Sequence, residues 1–167
     1  YGTWDPGQYA APTEYCAWRQ QIGIGDPHDE AAYVLRNRGH TGHAGLFTNV
    51  FNLFKLGRLW LSKTFNANLL ESLEKNEIPV VKNMDRGGSI YRLGWRISAP
   101  YHGQHSSCRI ISMTGFTGPL LLVDYDKELV IAMMCNAVHP KRPNQSQFEM
   151  RLTHYRKLIN EIYSIVK

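Results

Sequence analysis

The chain predicts an α+β fold: an antiparallel sheet with the C-terminal helix packed on it, plus a helical and loop-rich lobe. Three observations carry that prediction. Residues 108–135 divide into three short apolar segments separated by turn residues. Residues 145–166 repeat apolar side chains at helical spacing. The first half is rich in Gly and Pro, with only brief stretches of helical text. Loops and helices first, then strands, then a closing helix is the order of an α+β domain.

Taken in order, residues 1–26 lack periodicity and predict irregular packed loop, with Pro12-Thr13-Glu14 opening a short helical turn. His28-Asp29-Glu30 leads into a brief helix over 28–35, whose acidic residues suit the positive N-terminal end. A glycine-rich turn, Gly39-His40-Thr41-Gly42-His43-Ala44-Gly45, precedes Thr48 and Asn49, either a good N-cap for a helix to residue 62. Val50, Leu53, Phe54, Leu56 and Trp60 share one apolar face of that helix. A second short helix is expected over 68–75, ended before Pro79, and Asp85-Arg86-Gly87-Gly88 reads as a turn.

Residues 91–98 alternate enough to be one strand, followed by strands over 108–114, 119–124 and 129–135. Tyr125-Asp126-Lys127 joins the last two as a hairpin. Residues 120–123 and 130–134 are apolar on both faces, so the sheet should be covered on both sides. In the closing helix Phe148, Leu152, Tyr155, Ile159, Ile162 and Val166 form the buried stripe. Residues 1–85 make the helical and loop lobe of a single partial domain, and 86–167 its strands and last helix.

At 167 residues the chain is long enough to bury a core, and 43% hydrophobic with 20% charged residues is ordinary for a globular domain. The apolar run 129–135 is far too short to span a bilayer, and no signal peptide opens the chain. The net charge of +5 and a pI near 9.2 come from scattered basic residues, which argues against a nucleic-acid surface. Cys16, Cys108 and Cys135 give neither a disulfide framework nor zinc spacing, so buried reduced thiols are expected. His28, His40, His43 and Asp29 raise a metal site as an alternative. They sit in loops without ligand spacing, and histidines bonded to the backbone are the expectation, with no metal or cofactor.

Six phrases in order, Ala11-Pro12-Thr13-Glu14, His28-Asp29-Glu30, Gly42-His43-Ala44-Gly45-Leu46-Phe47, Leu93-Gly94-Trp95-Arg96, Thr114-Gly115-Phe116-Thr117-Gly118 and Asn136-Ala137-Val138-His139-Pro140, resemble a penicillin-binding subgroup of the β-lactamase-related serine hydrolases. That superfamily includes class C β-lactamases, low-molecular-weight penicillin-binding proteins and related esterases. The resemblance covers only the C-terminal portion of its β-lactamase/transpeptidase-like fold. It implies acyl transfer on an ester, amide or peptidoglycan-type substrate by a Ser activated through a neighbouring Lys. By the same resemblance Thr114 bonds a substrate carboxylate, and Gly115 lets the substrate approach the strand. The resemblance further implies that the Phe116 backbone N–H completes the oxyanion hole, a donor worth ~3–4 kcal/mol. The resemblance also places Gly42 to Gly45 in a loop bordering the site and implies that His43 contacts substrate. The relatives imply a bacterial envelope setting, although the residues carry no address of their own.

Two departures qualify the resemblance. Met113 stands where the family has Lys or His, and losing a charge-assisted bond there costs ~1.5–3 kcal/mol; Met113 reads equally as a wall residue or a core-facing strand residue. No Tyr-x-Asn occurs, and Ser72-Leu73-Glu74-Lys75 fits Ser-x-x-Lys only literally, in the wrong place along the chain. The expectation is a hydrolase wall that is inactive alone, completed by the missing N-terminal half or by a self-associating copy, with apolar surface left on the sheet and on the 50–60 helix. The alternative is a non-catalytic binding or structural module of the same fold.

Overall fold

A computed structural model of the chain describes residues 7–39, 41–62, 71, 81–83 and 88–166. Its centre is a six-stranded antiparallel sheet in which every strand pairs with its neighbour in sequence. The strands are β3 (Val81–Asn83), β4 (Ser89–Arg92), β5 (Trp95–Ser98), β6 (Ile110–Thr114), β7 (Leu120–Asp124) and β8 (Leu129–Met133). The region read as one strand over 91–98 is a hairpin. Leu93 (φ 49°) and Gly94 (φ 81°) turn the chain between β4 and β5, as a tight two-residue connection with left-handed backbone requires. A leucine is a poor announcement of such a turn, and alternation hid it.

The strands β6 to β8 lie where the apolar segments predict. All five residues of β7 are buried, and the sheet is covered on both faces. On one face α3 (Gln145–Ile165) packs Tyr155, Ile159 and Tyr163 against Ile110, Leu120, Leu122 and Ile131. Burying one such aliphatic side chain contributes ~1.5–3 kcal/mol, so this layer dominates stability. Asn144 caps α3 in a reciprocal box with Gln147, satisfying two otherwise orphaned N–H groups.

On the other face α2 (Val50–Leu61), capped by Asn49, lies against β7 and β8. The contact is backbone-close, because a Cβ on the buried Gly57 would fall 2.5 Å from Val130 Cγ1. Trp60 and Leu61 join Ile111, Val123 and Tyr125 in the core here. The predicted apolar face is only partly used: Val50, Phe54 and Leu56 remain exposed, with Phe51 and Leu59 beside them. The helix turns Gly57 to the sheet, and pattern reading does not count a glycine as a contact residue.

The N-terminal region is more ordered than expected. A 3-10 turn (Gly7–Tyr9) leads to a small hairpin of β1 (Tyr15–Cys16) and β2 (Gln21–Ile22), so Pro12-Thr13-Glu14 enters a strand and opens no helix. The hairpin turn rests on α1 (Glu30–Leu35), where the Tyr33 ring lies between the Arg19 and Arg36 guanidinium groups. The thiols are free as expected, but Cys108 and Cys135 are exposed and Cys16 is half-buried. The helix expected over 68–75 and the turn at 85–88 fall almost wholly outside the described residues. Among the described residues no helix is long and apolar enough to cross a membrane.

Candidate functional site

Strand β6 ends at Thr114, and the next five residues fold back on themselves. The Gly115 N–H donates to the Pro119 carbonyl at 2.9 Å, and the Gly118 N–H to the Gly115 carbonyl at 3.1 Å. Three successive carbonyls of this loop are then tied down. Arg151 Nη1 donates to the Phe116 carbonyl at 2.9 Å, and the Ala137 N–H to the Thr117 carbonyl at 2.7 Å. The Gly118 carbonyl accepts from Tyr155 Oη and from Cys135 Sγ. Gly118 has φ 127°, and a Cβ on it would sit 2.7 Å from the Cys135 carbonyl oxygen. Only glycine fits that backbone and that approach. The loop is therefore fixed by α3 and by the segment after β8, leaving the Phe116 ring exposed at its tip.

Against that ring the N-terminal phrases assemble. The His28 imidazole stacks on Phe116 with ring centres 5.6 Å apart, and the Arg142 guanidinium lies 5.5 Å from the ring centre. Glu14 joins the two: Oε1 is 3.0 Å from His28 Nε2 and accepts from Arg142 Nε at 2.7 Å, while Oε2 accepts from the Arg142 N–H. Arg142 reaches on to Glu30 at 3.2 Å. Burial alone would raise the Glu14 carboxyl, but the bonds from Arg142 and His28 outweigh it and hold it below its usual value. Asn136 Nδ2 donates to the Pro12 carbonyl, and His139 Nδ1 lies 3.1 Å from the Thr13 carbonyl. Beyond Arg142 an open cleft of about 470 Å³ runs past Lys141, Asn144 and Gln147 to Arg151.

Behind the strand end is a buried polar cluster. Arg96, opposite Ser112 on β5, is 5% exposed. It donates Nη1 to Thr114 Oγ1 at 2.7 Å and Nε to Tyr91 Oη at 2.7 Å. Tyr101 Oη lies 3.3 Å and Met113 Sδ 3.8 Å from the same Nη1. The fully buried Ser112 hydroxyl bridges Tyr101 at 2.9 Å and His102 Nε2 at 2.7 Å. Burial first, and the Arg96 charge second, press the His102 imidazole down to about 4. A Ser–His contact with no solvent access has no room for a substrate, so this pair is a support for β6.

The positions named from sequence fall as follows. Met113 is 39% exposed and Phe116 51%, Thr114 is half-buried with its hydroxyl on Arg96, and Gly115 packs on the Pro119 ring. His43 is exposed and bonds Asp29 Oδ1 at 3.1 Å, one residue along the chain from the His28 stack; no contact with 113–116 is among its described bonds. Asp29 also caps α1 through the Ala32 N–H, the main reason its carboxyl is held below its usual value, burial acting against it and His43 assisting. Thus His28 and His43 bond carboxylates where backbone partners were expected, while His139 lies within bonding distance of a backbone carbonyl. Among the described residues no group of three His, Cys, Asp or Glu side chains could hold a metal ion.

Residues 72–75 and His40 lie outside the described residues. A second literal Ser-x-x-Lys, Ser164-Ile165-Val166-Lys167, escapes the sequence reading. Ser164 sits exposed near the end of α3 and donates to the Glu161 carbonyl. Sequence reasoning also missed Arg96 and the Glu14–Arg142 pair. Both belong to quoted phrases or their flanks, but pairing across 128 positions leaves no local trace.

No family model matches the chain, and no solved structure matches it. Curated proteins do. A protein of Escherichia coli (strain K12) named "Putative D-alanyl-D-alanine carboxypeptidase" is 24% identical over 155 residues, 86% of this chain and 35% of its own length. An N-acetylmuramyl-L-alanine amidase of Bacillus subtilis (strain 168) is 28% identical over 120 residues, 69% of this chain and 27% of its own. A Salmonella enteritidis protein with the same carboxypeptidase name matches to the same extent, also at 28%. The chain spans about a third of the length of these relatives.

Proposed function

We propose that this chain forms the substrate-facing wall of a peptidoglycan-directed serine hydrolase of the β-lactamase-related type. The observation that carries the reading is the convergence of the quoted phrases. Five of the six meet around the Thr114–Gly118 loop through named bonds: Glu14, His28, Arg96 and the 136–139 segment, with the loop itself as the fifth. The sixth reaches it through His43 and Asp29. Relatives whose names specify cleavage in D-alanyl-D-alanine or at N-acetylmuramyl-L-alanine support peptidoglycan as the substrate class.

In this reading an acyl peptide lies along the end of β6. The Thr114 hydroxyl takes its carboxylate, Gly115 admits its backbone, and the Phe116 N–H receives the oxyanion that forms when a serine attacks the acyl carbon. The serine and its lysine come from a segment outside this chain, which also extends the sheet. Met113 favours a second reading, a binding module without turnover, because a thioether can neither carry charge nor pass a proton.

Intact mass spectrometry with a fluorophosphonate and a penicillin probe separates the two. The first reading predicts no label on the 19.1 kDa chain alone, and label on an N-terminal segment co-expressed with it. Absence of label in that pair refutes the hydrolase and leaves the binding module.

A further inference from the structure

Resting on that reading of the Phe116 N–H, we infer that the loop presents a second donor beside it, the Thr117 N–H, and that Arg151 is the positioning residue that aims and polarises this donor toward a tetrahedral oxygen anion. The Gly118 N–H donates to the Gly115 carbonyl at 3.1 Å, closing a four-residue turn with Phe116 and Thr117 at its centre. Neither central residue has a positive φ, so the turn is type I, in which both are helical. In that conformation the two central N–H groups point to the same side, as they do in the first turn of a helix. Among the described residues neither of them has a hydrogen-bond partner.

Each of these N–H groups belongs to a peptide plane whose carbonyl end is pinned. The C=O and N–H of a trans peptide point in opposite directions. The Gly115 carbonyl is held by Gly118, so the Phe116 N–H faces out of the turn. The Phe116 carbonyl is held by Arg151 Nη1 at 2.9 Å, so the Thr117 N–H faces away from α3. The two clamps differ in strength. Gly118 is a neutral donor, whereas Arg151 brings a full charge. Its guanidinium lies 4.8 Å from the Phe148 ring centre and has no acidic partner among the described residues. A cation on the carbonyl polarises the whole peptide unit, which makes the Thr117 N–H the stronger donor of the pair. A tetrahedral anion gains more from such a pair than a neutral carbonyl does, because both donors meet negative charge.

The test is a titration of the ¹⁵N-labelled 167-residue chain with methylphosphonate, a tetrahedral oxyanion, and with N-methylacetamide, a neutral carbonyl. Salt is held at about 0.15 M to screen charges beyond ~8 Å. Methylphosphonate is expected to move the Phe116 and Thr117 amide resonances together with one dissociation constant, at least about tenfold below that of N-methylacetamide. Arg151→Met should weaken methylphosphonate about fivefold or more and shrink the Thr117 shift most. Arg151→Lys, which can still donate to the carbonyl, should stay within about twofold of wild type. Lys141→Met removes an equal charge from the same cleft without touching the loop carbonyl, and should also stay within about twofold.

Movement of the Phe116 amide alone overturns the inference and leaves the proposed function standing. Equal weakening by Arg151→Met and Lys141→Met also overturns it, since Arg151 would then act as bulk charge. If neither amide moves, both readings fall. Should Arg151→Met lose the native circular dichroism, the wild-type titration and Arg151→Lys decide: a still Thr117 amide in the first, or loss of its shift in the second, overturns the role of Arg151.

Discussion

Replacing Tyr163 by Phe should weaken the fold measurably although it removes a single oxygen. The Asp124 side chain is fully buried and takes five donors: the Ser107 N–H and hydroxyl, the Asp126 and Lys127 N–H groups, and Tyr163 Oη at 2.5 Å. Burial, and then the bond to Asp124, push the Tyr163 phenol well above its usual value, so it remains a donor. The ring packs in the α3 core and would stay in the Phe variant, so lost apolar area contributes little.

What is lost is one hydrogen bond to a charged acceptor, ~1.5–3 kcal/mol. At ~2–4 °C per kcal/mol for a chain of this size, Tm should fall by about 3–12 °C. Circular dichroism at 222 nm during heating, with a urea series for the free energy, measures it. The reasoning also predicts that Tyr163→Phe costs almost nothing further in an Asp124→Asn background. A Tm within about 1 °C of wild type, or full additivity of the two changes, would refute the claim that this pair ties α3 to the β7–β8 turn.

Other expectations concern pH and the site loop. With His102 near 4 when folded and near 6.5 when unfolded, the unfolded chain binds the extra proton between those values. Stability is then present above pH 6.5 and is lost as pH falls toward 4, by about 3 kcal/mol in all; urea midpoints across pH 4–7 should lose most of that slope in His102→Gln. Gly118→Ala adds left-handed strain of ~1–2 kcal/mol to a collision with the Cys135 backbone, and should broaden or move the Phe116 amide resonance while β7 and β8 keep theirs. Arg142→Met removes partly exposed ion pairs, so global stability should change by under ~1 kcal/mol. It leaves Glu14 with His28 alone and removes the Arg142 tie to Glu30, so limited proteolysis near residue 14 should accelerate; an unchanged digestion pattern would contradict the bracing role.

How far the sequence reveals this molecule depends on the range of the interaction. Strands β6 to β8 and the helix α3 announce themselves because burial on both faces, or along one stripe, leaves a local pattern. Tyr163 falls eight residues after Tyr155 on the same side of α3, yet the aliphatic neighbours at 162 and 166 drew the stripe away from it. The β4–β5 turn was hidden because Leu93 takes a backbone shape that leucine rarely adopts. The loop carrying Thr114 and Phe116 could be placed from its glycines. The charge beside it could not, because Arg96 reads as a strand residue until β5 and β6 pair and bring it to Thr114.

The sheet and the candidate site differ in how far the chain must travel to close them. Each strand pairs with the next one along, so the meander closes through short loops and carries little entropic cost of long-range search. The bonds that dock the N-terminal segment beside the Phe116 loop join residues 112 to 128 positions apart, from Pro12, Glu14 and Glu30 to Asn136 and Arg142, and are solvent-exposed. The sheet can therefore be complete while the 12–30 segment is still undocked, and opening of that segment leaves the hydrophobic layers intact. Site assembly is in this sense a separate and shallower equilibrium laid over a stable platform. If the proposed ligand bridges the Thr114 strand end and the Phe116 ring, its binding and the docking of the N-terminal segment are thermodynamically linked.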